Sequence, residues 1–578
     1  MRYVFLLLSL IYPFFSNGQQ NDIVLNQLGF YPASPKKAIV IAKTRARSFS
    51  LIDSASKKTV FQGKLSPEKS SAYSALKTRV ADFSSYNTSG SYFIYIEGLD
   101  HSYPFQIAAH IHRPVALSSL KGLYYQRASG PLEKAFAGKW ERPSGHPDTS
   151  VLVHPSAASP SRPAGTHLSS PGGWYDAGDY NKYIVNSGIT MGTLLSAYED
   201  FPLYFNNLST HIPESANGIP DILDEIMVNL RWMLKMQDPE DGGVYHKCTN
   251  ASFDGMVMPG VTTLPRYVVQ KGTAATLDFA AVTAQAARVL RRFDKQVPGL
   301  SDSCLTAARR AWNWALKNPN IRYDQTFINE RFEPSISTGA YGDRNFEDEW
   351  YWAATELLIS TGETQYSSRL TGSYKTEIRI PSWSNVEALG FYSLLRHERD
   401  LPITLKSSMT TLKSLLIGKA NLYLEKSEDS AFHTVMGLSR QDFNWGSNAN
   451  AANQGILLLN AYLQTGNKAY INAALSNLDY ILGRNATGYC FVTGIGSKRV
   501  MHPHHRPSVA DGIDDPVPGL LAGGPNYGMQ DAKDGCSYPH TDPEVAFIDH
   551  DCSYASNEIA INWNAPLIYL ANGVEALY

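Results

Sequence analysis

Short runs of β-type residues fill the first part of the chain, from Asn21 to about Ile111. Runs such as IVLNQLGF, KKAIVIAK, SFSLIDS and GSYFIYIEG are separated by Pro, Gly, Asn and Ser. Closely spaced short strands with such residues between them are typical of a β-sandwich. The pattern therefore predicts a small β-sandwich domain over residues 19–108.

Helical periodicity begins near Ala108 and continues almost to the end of the chain. Apolar residues recur there at the spacing that places them on one face of a helix. The predicted helices cover residues 115–127, 186–200, 219–237, 273–293, 302–317, 346–361, 383–397, 403–424, 446–464, 467–483 and 556–575. So many helices without alternating strands indicate a mainly α domain over residues 109–578, a toroid of paired helices rather than a parallel α/β sheet.

Three long loops interrupt these helices, at residues 128–185, 238–272 and 484–555. Loops of that length inside a compact domain usually carry function, and these three contain aromatic, acidic and histidine side chains. The β domain contains no comparable cluster. We therefore expect the functional residues in the loops, and a packing role for the β domain against the first helices of the larger domain.

The N-terminal segment, residues 1–18, has the pattern of a cleavable secretory signal peptide. Arg2 precedes an apolar run, and the small residues Ser16 and Gly18 occupy the positions that a signal peptidase prefers. A membrane anchor is the alternative, but the run is shorter than the ~20 residues of a spanning helix and contains Pro13. We expect a secreted or periplasmic protein whose mature chain has no membrane span.

The charge balance argues against a nucleic-acid partner. The 578 residues include 51 Lys and Arg against 53 Asp and Glu, a formal net charge of -2, so there is no basic excess to bind phosphates. Aromatic residues make up 11% of the chain, enough to fill a core and also to line a cleft that contacts sugar rings.

The five cysteines are an odd number, so at least one thiol is free or pairs between molecules. Cys536 and Cys552 are the expected pair because they are close in sequence. No CxxC motif occurs, and the sequence predicts no metal site. We expect a monomer.

The segment PGGWYDAGDYNKY places Asp176 and Asp179 three residues apart around a glycine, between Trp174 and Tyr180. A turn with glycine can direct both carboxylates to one point beside the aromatic rings. Such a pair can hold a water molecule and remove its proton. A turn with helix-capping aspartates, or a calcium loop, is the alternative.

Glu558 stands at the start of the last predicted helix, after Asp549 and Asp551. An acidic residue at a helix N-terminus is often there only because it interacts favourably with the helix dipole. A general acid needs a raised pKa, which the apolar neighbours Ile559 and Trp563 and the nearby carboxylates can provide. Glu558 is therefore a candidate proton donor.

The loop sequence MHPHHRPS contains His502, His504, His505 and Arg506. The histidines lack the i, i+4 spacing of a zinc-binding helix, and Arg506 would repel a cation. Hydrogen bonding to sugar hydroxyls is the preferred interpretation. No phosphate-binding glycine motif and no G-x-S-x-G motif is present, which disfavours nucleotide binding and serine hydrolase chemistry.

In this order, the three segments resemble glycoside hydrolase family 9, the inverting β-glucanases, in the subgroup with an N-terminal immunoglobulin-like domain. IVLNQLGFYP is similar to the opening strand of that domain, GGWYDAGDYNKY to the family's DAGD motif, and MHPHHRPS and DCSYASNEIAINWNAP to its two signature regions. FNWGSNANAANQGILLLNAY and LDYILGRNATGYCFVTGIG resemble its late helix pair. The resemblance implies an (α/α)6 barrel preceded by a small immunoglobulin-like β-sandwich.

By motif position, the resemblance implies that Asp179 is the general base, Asp176 its partner in holding the water, and Glu558 the general acid. It also implies that the loops contact the sugar next to the cleaved bond. The predicted substrate-binding residues are Trp174, Tyr180, His504, Arg506, Tyr554 and Asp549. The segment DHDCS at residues 549–553 departs from the usual family pattern. This departure affects what the resemblance implies about substrate contacts on the leaving-group side of the cleft.

The resulting prediction is an exported, inverting glycoside hydrolase that cleaves β-1,4-glucosidic bonds in glucans, as an endoglucanase, cellulase or xyloglucanase does. An exo-acting β-glucosidase or glucosaminidase is the first alternative, and it requires loops 128–185 and 484–555 to block one end of the cleft. A non-catalytic carbohydrate-binding protein is the alternative of another class, and it predicts the loss of a carboxyl group that this chain retains. No cofactor is required, and structural calcium stays open because no compact oxygen-rich loop identifies its ligands.

Overall fold

The computed structural model describes residues 22–370 and 377–578. The predicted signal peptide, residues 1–18, lies outside this part of the chain. Within the two ranges, no helix has the length and apolar character that a membrane span requires.

Strands before residue 108 form two packed sheets. Their bounds are β1 Ile23–Val24, β2 Gly29–Phe30, β3 Lys37–Val40, β4 Ser48–Asp53, β5 Thr59–Lys64, β6 Lys69–Ser70, β7 Lys77–Asp82, β8 Gly90–Tyr95 and β9 Phe105–Ile107. The strand orders are β1-β3-β7-β6 and β2-β9-β8-β4-β5. Alternate residues of β4 and β8, such as Leu51 and Ile94, are buried between the sheets because successive side chains of a strand face opposite sides. The predicted β-sandwich is confirmed.

Helices dominate the rest of the described chain. Their bounds are α1 Arg113–Tyr125, α2 Lys134–Ala137, α3 Ile184–Asp200, α4 Pro202–Phe205, α5 Asp221–Lys235, α6 Thr273–Leu290, α7 Leu300–Lys317, α8 Gln325–Asn329, α9 Glu347–Thr361, α10 Glu387–Arg396, α11 Lys406–Asp429, α12 Ser447–Thr465, α13 Lys468–Ile481, α14 Arg506–Ala510 and α15 Ile561–Leu577. Every predicted helix overlaps one of the longer helices. The mainly α fold is confirmed.

The longer helices form an inner and an outer ring. The inner helices α3, α6, α9, α10, α12 and α15 are buried on almost all sides. Neighbours in the ring pack on each other, and Gln464 of α12 closes it by donating its Nε2–H to the Leu395 carbonyl of α10 at 3.4 Å. The outer helices α1, α5, α7, α11 and α13 pack against them. This arrangement is the expected (α/α)6 barrel.

The long loops all lie on one face of the barrel. Except between the inner helices α9 and α10, outer and inner helices alternate along the chain, so each connection from an outer to an inner helix arrives at the same end of the ring. The connections at 126–183, 236–272, 318–346 and 482–560 are of this kind. The residues predicted to be functional therefore share one face, although they are far apart in sequence.

A third sheet, which the sequence analysis did not predict, is built from two of these loops. Its strands are β10 Val151–Val153, β11 His167–Leu168, β12 Lys182–Tyr183, β13 Lys247–Asn250 and β14 Arg266–Val268, in the order β11-β10-β14-β13-β12. The strands are two to four residues long, too short for a period-two pattern to show in the sequence. Pairing of β12 with β13 fixes the chain immediately after the DAGD turn.

The β-sandwich packs mainly on the C-terminal half of the barrel, which corrects the expectation that it contacts the first helices. Its Val24, Ile39 and Val80 form one apolar cluster with residues 431–432 and 486. Asn26 donates its Nδ2–H to Asp479 Oδ1 at 2.7 Å. Of the first helices, α1 takes part through the residue before it, His112, whose Nε2 lies 2.9 Å from Asn26 Nδ2. A sequence pattern gives the apolar face of a domain but not the surface that covers it.

The predicted disulfide between Cys536 and Cys552 is confirmed, with Cα atoms 5.6 Å apart. The other cysteines, Cys248, Cys304 and Cys490, are free and buried.

Candidate active site

The DAGD turn is held by direct contact with the histidine-rich loop. A Cβ atom at Gly178 would lie 2.1 Å from the carbonyl oxygen of His504, so only glycine allows this approach. Arg506 donates from Nη1 to the Gly178 carbonyl at 2.7 Å and from Nε to the Asp254 carbonyl at 2.9 Å. The guanidinium of Arg506 therefore joins two of the predicted segments.

The Asp179 carboxyl group is buried and receives several hydrogen bonds on one oxygen. Asn181 Nδ2 donates to Oδ2 at 2.6 Å, and the Tyr183 hydroxyl donates to the same oxygen at 3.2 Å. Both partners belong to the NKY sequence that follows the turn and leads into β12. In the described chain, the side-chain hydrogen bonds to Asp179 all reach Oδ2, which leaves Oδ1 to face a reactant.

Asp176 is held from two other elements. Asn186 of α3 donates from Nδ2 to Oδ1 at 2.5 Å, and the Tyr341 hydroxyl donates to Oδ2 at 2.8 Å. Burial, followed by the charge of the nearby Asp179, raises the pKa of Asp176 to about 8. The pKa of Asp176 therefore depends on the charge of Asp179.

Glu558 reaches the same place from the other end of the sequence, three residues before α15 begins. Its backbone forms a parallel bridge with His504, and the Ile561 amide donates to the Asp176 carbonyl at 2.9 Å. Burial raises the pKa of Glu558 well above its ordinary value, and the charge of Asp179 raises it further. Glu558 was predicted from the sequence as the proton donor, and the structure brings its carboxyl group close to those of Asp176 and Asp179.

Two of the predicted substrate-binding residues cannot contact a sugar. The Trp174 side chain is fully buried, and its indole N–H lies 3.3 Å from Glu225 Oε2 in the core. Tyr180 is also buried, packs on Tyr175, and donates its hydroxyl to the Val257 carbonyl at 2.6 Å. These predictions were wrong because an aromatic residue beside a catalytic turn can support the turn from behind as well as face the substrate.

Asp549, whose predicted contact with the substrate stays a prediction, accepts hydrogen bonds from the backbone of the histidine-rich loop. Its Oδ2 accepts the Met501 amide and its Oδ1 accepts the His502 amide, each at 2.9 Å. The carboxylate thus holds the backbone of the histidine-rich loop. Arg506 is likewise buried and bonded to carbonyl groups, whereas His504 and Tyr554 keep part of their surface exposed.

An aromatic wall lies beside these residues. Its members Tyr554 and His504 were predicted from the sequence, but Trp445 was not. The Trp445 ring is 5.5 Å from the Tyr554 ring and remains 43% exposed, and the Tyr554 ring is 6.2 Å from that of His504. Trp445 lies in the connection before α12. Its segment, FNWGSNANAANQGILLLNAY, indicated only the helix that follows. An exposed tryptophan beside buried carboxyl groups is typical of a sugar-binding surface.

Tyr341 is the second residue that the sequence analysis missed. It lies 165 positions after Asp176, and no motif surrounds it. Its backbone has a φ of 45°, an uncommon value for a residue with a side chain. The ring packs against Tyr183 and Trp383, which directs the hydroxyl toward Asp176.

In residues 22–370 and 377–578, no group of three or more His, Cys, Asp or Glu side chains is arranged to hold a metal ion. Calcium also binds backbone and amide carbonyl oxygens, so structural calcium stays open. The absence of a cofactor requirement stays a prediction.

Comparison with known proteins agrees with the geometry. The sequence profile of glycosyl hydrolase family 9 matches residues 114–571, and that of the cellulase N-terminal ig-like domain matches residues 18–101. The chain belongs to glycosyl hydrolase family 9. As a family 9 member, it is a glycoside hydrolase with an N-terminal immunoglobulin-like domain.

Several relatives cover nearly the whole chain. A xyloglucan-specific endo-beta-1,4-glucanase of Bacteroides ovatus, BoGH9A, is 47% identical over 96% of this chain and 94% of its own length. A cellulose 1,4-beta-cellobiosidase of Acetivibrio thermocellus is 32% identical over 95% of this chain and 67% of its own length. A solved structure, that of a Bacteroides ovatus GH9 protein, has a TM-score of 0.91 at 46% identity, and the match covers 96% of this chain and 99% of the other.

Proposed function

We propose that this family 9 enzyme is an endo-β-1,4-glucanase that hydrolyses its substrate with inversion, and that a xyloglucan-type glucan is its substrate. The observation that carries the proposal is the convergence of Asp176, Asp179 and Glu558, with Glu558 in a setting that favours its protonated form. The 47% identity to a xyloglucan-specific endoglucanase supports the substrate class. The three groups come from one chain, which supports action as a monomer.

Glu558 acts as the general acid. Its raised pKa keeps the carboxyl group protonated at a pH where an exposed glutamate is ionised. The proton goes to the oxygen of the glycosidic bond that is being broken. As the pH rises through the pKa of Glu558, the proton is lost, so we assign the alkaline limb of the pH profile to this residue.

Asp179 acts as the general base. Asn181 and Tyr183 fix its Oδ2, and Oδ1 accepts a proton from the attacking water. Asp176 holds the same water from its own position, where Asn186 and Tyr341 fix it. No cofactor is needed, because the acid, the base and the water complete the reaction.

The wall of Trp445, Tyr554 and His504 supports the sugar rings. Aromatic faces bind the apolar faces of glucosyl units, and the exposed Trp445 offers such a face. His504 Nδ1 lies 2.6 Å from the Asp551 carbonyl, which fixes its ring and leaves Nε2 for a hydroxyl.

The stereochemistry of the first product tests the proposed mechanism. An inverting enzyme holds acid and base about 6.5–9.5 Å apart, so that a water molecule fits between the base and the sugar. We expect a β-linked glucan to release the α-anomer first. Proton NMR in the first minutes of hydrolysis, before mutarotation, measures this, and a β-anomer at that time would contradict the role of Asp179.

The substitution Tyr341→Phe tests the role of Asp176. The hydroxyl donates to Asp176 and favours its ionised form, so its loss raises the pKa of that carboxyl group. We expect kcat to fall about tenfold and the acidic limb of the pH profile to move to higher pH. Phe keeps the ring packing against Tyr183 and Trp383.

Tyr470→Phe is the matched control for that substitution. Tyr470 also loses a hydrogen bond, from its hydroxyl to Asn421 Oδ1 at 2.7 Å, but it lies on the outer helix α13. We expect this variant to keep the wild-type pH profile. Equal profiles for wild type and Tyr341→Phe would show that Tyr341 contributes packing alone.

Exo action is the second candidate, since one relative is named a cellobiosidase. The two modes differ in the change of viscosity for each bond cut. Endo action lowers the viscosity of a soluble glucan early, whereas exo action releases short sugars from an almost intact chain.

We also propose export of the protein, on the pattern of residues 1–18.

A further inference from the structure

A cavity of about 490 Å³ opens beside the catalytic centre, in the connection between α7 and α9. Ala340 and Gly342 line it, and Tyr341, which stands between them, directs its hydroxyl to Asp176. One short segment thus forms a wall of the cavity and holds a catalytic carboxyl group. Because this connection leads into the inner helix α9, the cavity lies on the same face of the barrel as the three carboxyl groups.

The cavity has a fixed inner wall. Tyr323 is buried and stacks on the His246 ring, with ring centroids 4.0 Å apart. A Cβ atom at Gly342 would lie 2.6 Å from the Tyr323 carbonyl oxygen, so the two segments approach as closely as glycine allows. The volume lies within the ~300–1,000 Å³ that is usual for ligand sites.

The charges of the lining select a neutral ligand. Arg322 and Arg344 are balanced by Asp324 and Glu330, and Arg322 Nη2 lies 3.5 Å from Asp324 Oδ2. With two positive and two negative side chains, the lining has no net charge that would favour an anion or a cation. A ligand rich in hydroxyl groups can accept from the arginines and donate to the carboxylates.

Two further features suit a sugar. The Arg322 side chain is 36% exposed, so its guanidinium presents N–H donors to the cavity. The Phe327 ring is 46% exposed and adds an aromatic surface to the polar groups, although the Arg331 guanidinium covers part of it at 3.4 Å from the ring centroid. Aromatic rings combined with paired donors and acceptors are what a pyranose ring requires.

From these contacts we infer that the cavity binds a neutral sugar branch of the glucan chain, such as a xylosyl unit, while the backbone of the chain lies across the carboxyl groups. This inference rests on the proposed function and adds a site for the branch to it. The cavity then favours branched over linear glucans.

Two substitutions test the cavity without touching the catalytic residues. Thr326→Trp fills it from an exposed position on α8, and Arg344→Ala removes one exposed charged side chain from its lining. Arg399→Ala is the matched control, since Arg399 is exposed and follows the C-terminal end of the inner helix α10, on the opposite face. Each change is made in the full chain carrying Glu558→Gln, so that the ligands stay intact.

Calorimetry then compares cellotetraose with cellotetraose that carries xylosyl branches. We expect Thr326→Trp and Arg344→Ala to weaken binding of the branched ligand about tenfold, with less than about a twofold change for the linear one. Arg399→Ala should change neither. Equal weakening of both ligands, no weakening of either, or no preference for the branched ligand before substitution would overturn the inference.

Failure of the proposed function has a separate readout. If the wild-type enzyme hydrolyses neither linear nor branched glucan, the endoglucanase proposal is wrong, whatever the calorimetry shows. If it hydrolyses linear glucan and the cavity variants bind both ligands as before, only the branch site is rejected.

Discussion

Replacement of Glu558 by Gln is expected to lower kcat on a β-1,4-glucan by about 10²–10⁴-fold. The amide keeps the shape of the side chain but cannot donate a proton to the departing oxygen. A dinitrophenyl β-cellobioside needs little help from an acid, because its leaving group departs as an anion. Hydrolysis of that substrate by Glu558→Gln should therefore fall by less than about tenfold.

The stability of this variant provides an independent check. Glu558 has a folded-state pKa above its unfolded value, so its ionisation destabilises the folded state as the pH rises. Gln carries no such charge. Denaturant unfolding should show Glu558→Gln as stable as wild type at low pH and more stable than wild type at higher pH.

The substitution Glu425→Gln on the exposed side of α11 is the matched control, with no expected change in kcat. An equal loss on the glucan and on the dinitrophenyl substrate by Glu558→Gln would contradict its role as the acid. The residue would then position the substrate for every leaving group alike.

Replacement of Asp179 by Asn is expected to abolish turnover of both substrates, with a loss of about 10²–10⁴-fold on each. The reason is that the base activates the water, and a better leaving group cannot replace that step. Asn keeps a similar shape, so Asn181 and Tyr183 retain a partner in the turn. Glu558→Gln and Asp179→Asn should therefore differ on the dinitrophenyl substrate, because its good leaving group restores turnover only in the acid variant, Glu558→Gln.

Added azide sharpens this second test. Azide is a nucleophile that needs no base, and it can attack the anomeric carbon while dinitrophenolate leaves. We expect azide to restore turnover by Asp179→Asn and to form the α-glycosyl azide, which proton NMR identifies. A β-glycosyl azide would contradict inversion, and Asp302→Asn on the exposed side of α7 should behave as wild type.

The sequence alone predicted the secondary structure well where the signal is local. Apolar spacing over ten or more residues found each long helix from α1 to α15, since one face of each must be buried. The short strands with turn residues between them likewise predicted the β-sandwich, because one face of each sheet must be buried. The pattern failed for β10 to β14, whose strands are too short to repeat.

The position of the Asp179 carboxyl group was also predictable, because the residues that hold it lie next to it in sequence. The glycine of the DAGD turn is required by the approach of His504, and Asn181 follows two positions after Asp179. Motif and geometry therefore coincide at this turn. The motif does not show whether a neighbouring side chain faces the substrate.

Only the tertiary structure decided which side chains line the cleft. Trp174 and Tyr180 were expected there and are buried behind the turn, whereas Trp445 and Tyr341 reach the site from distant loops. Each of these outcomes depends on how connections between helices meet at one end of the ring. Hydrophobic spacing shows that a side chain is apolar and which face it shares. The partner that covers it is set by contacts between segments that are far apart in sequence, 51 to 165 residues in these cases.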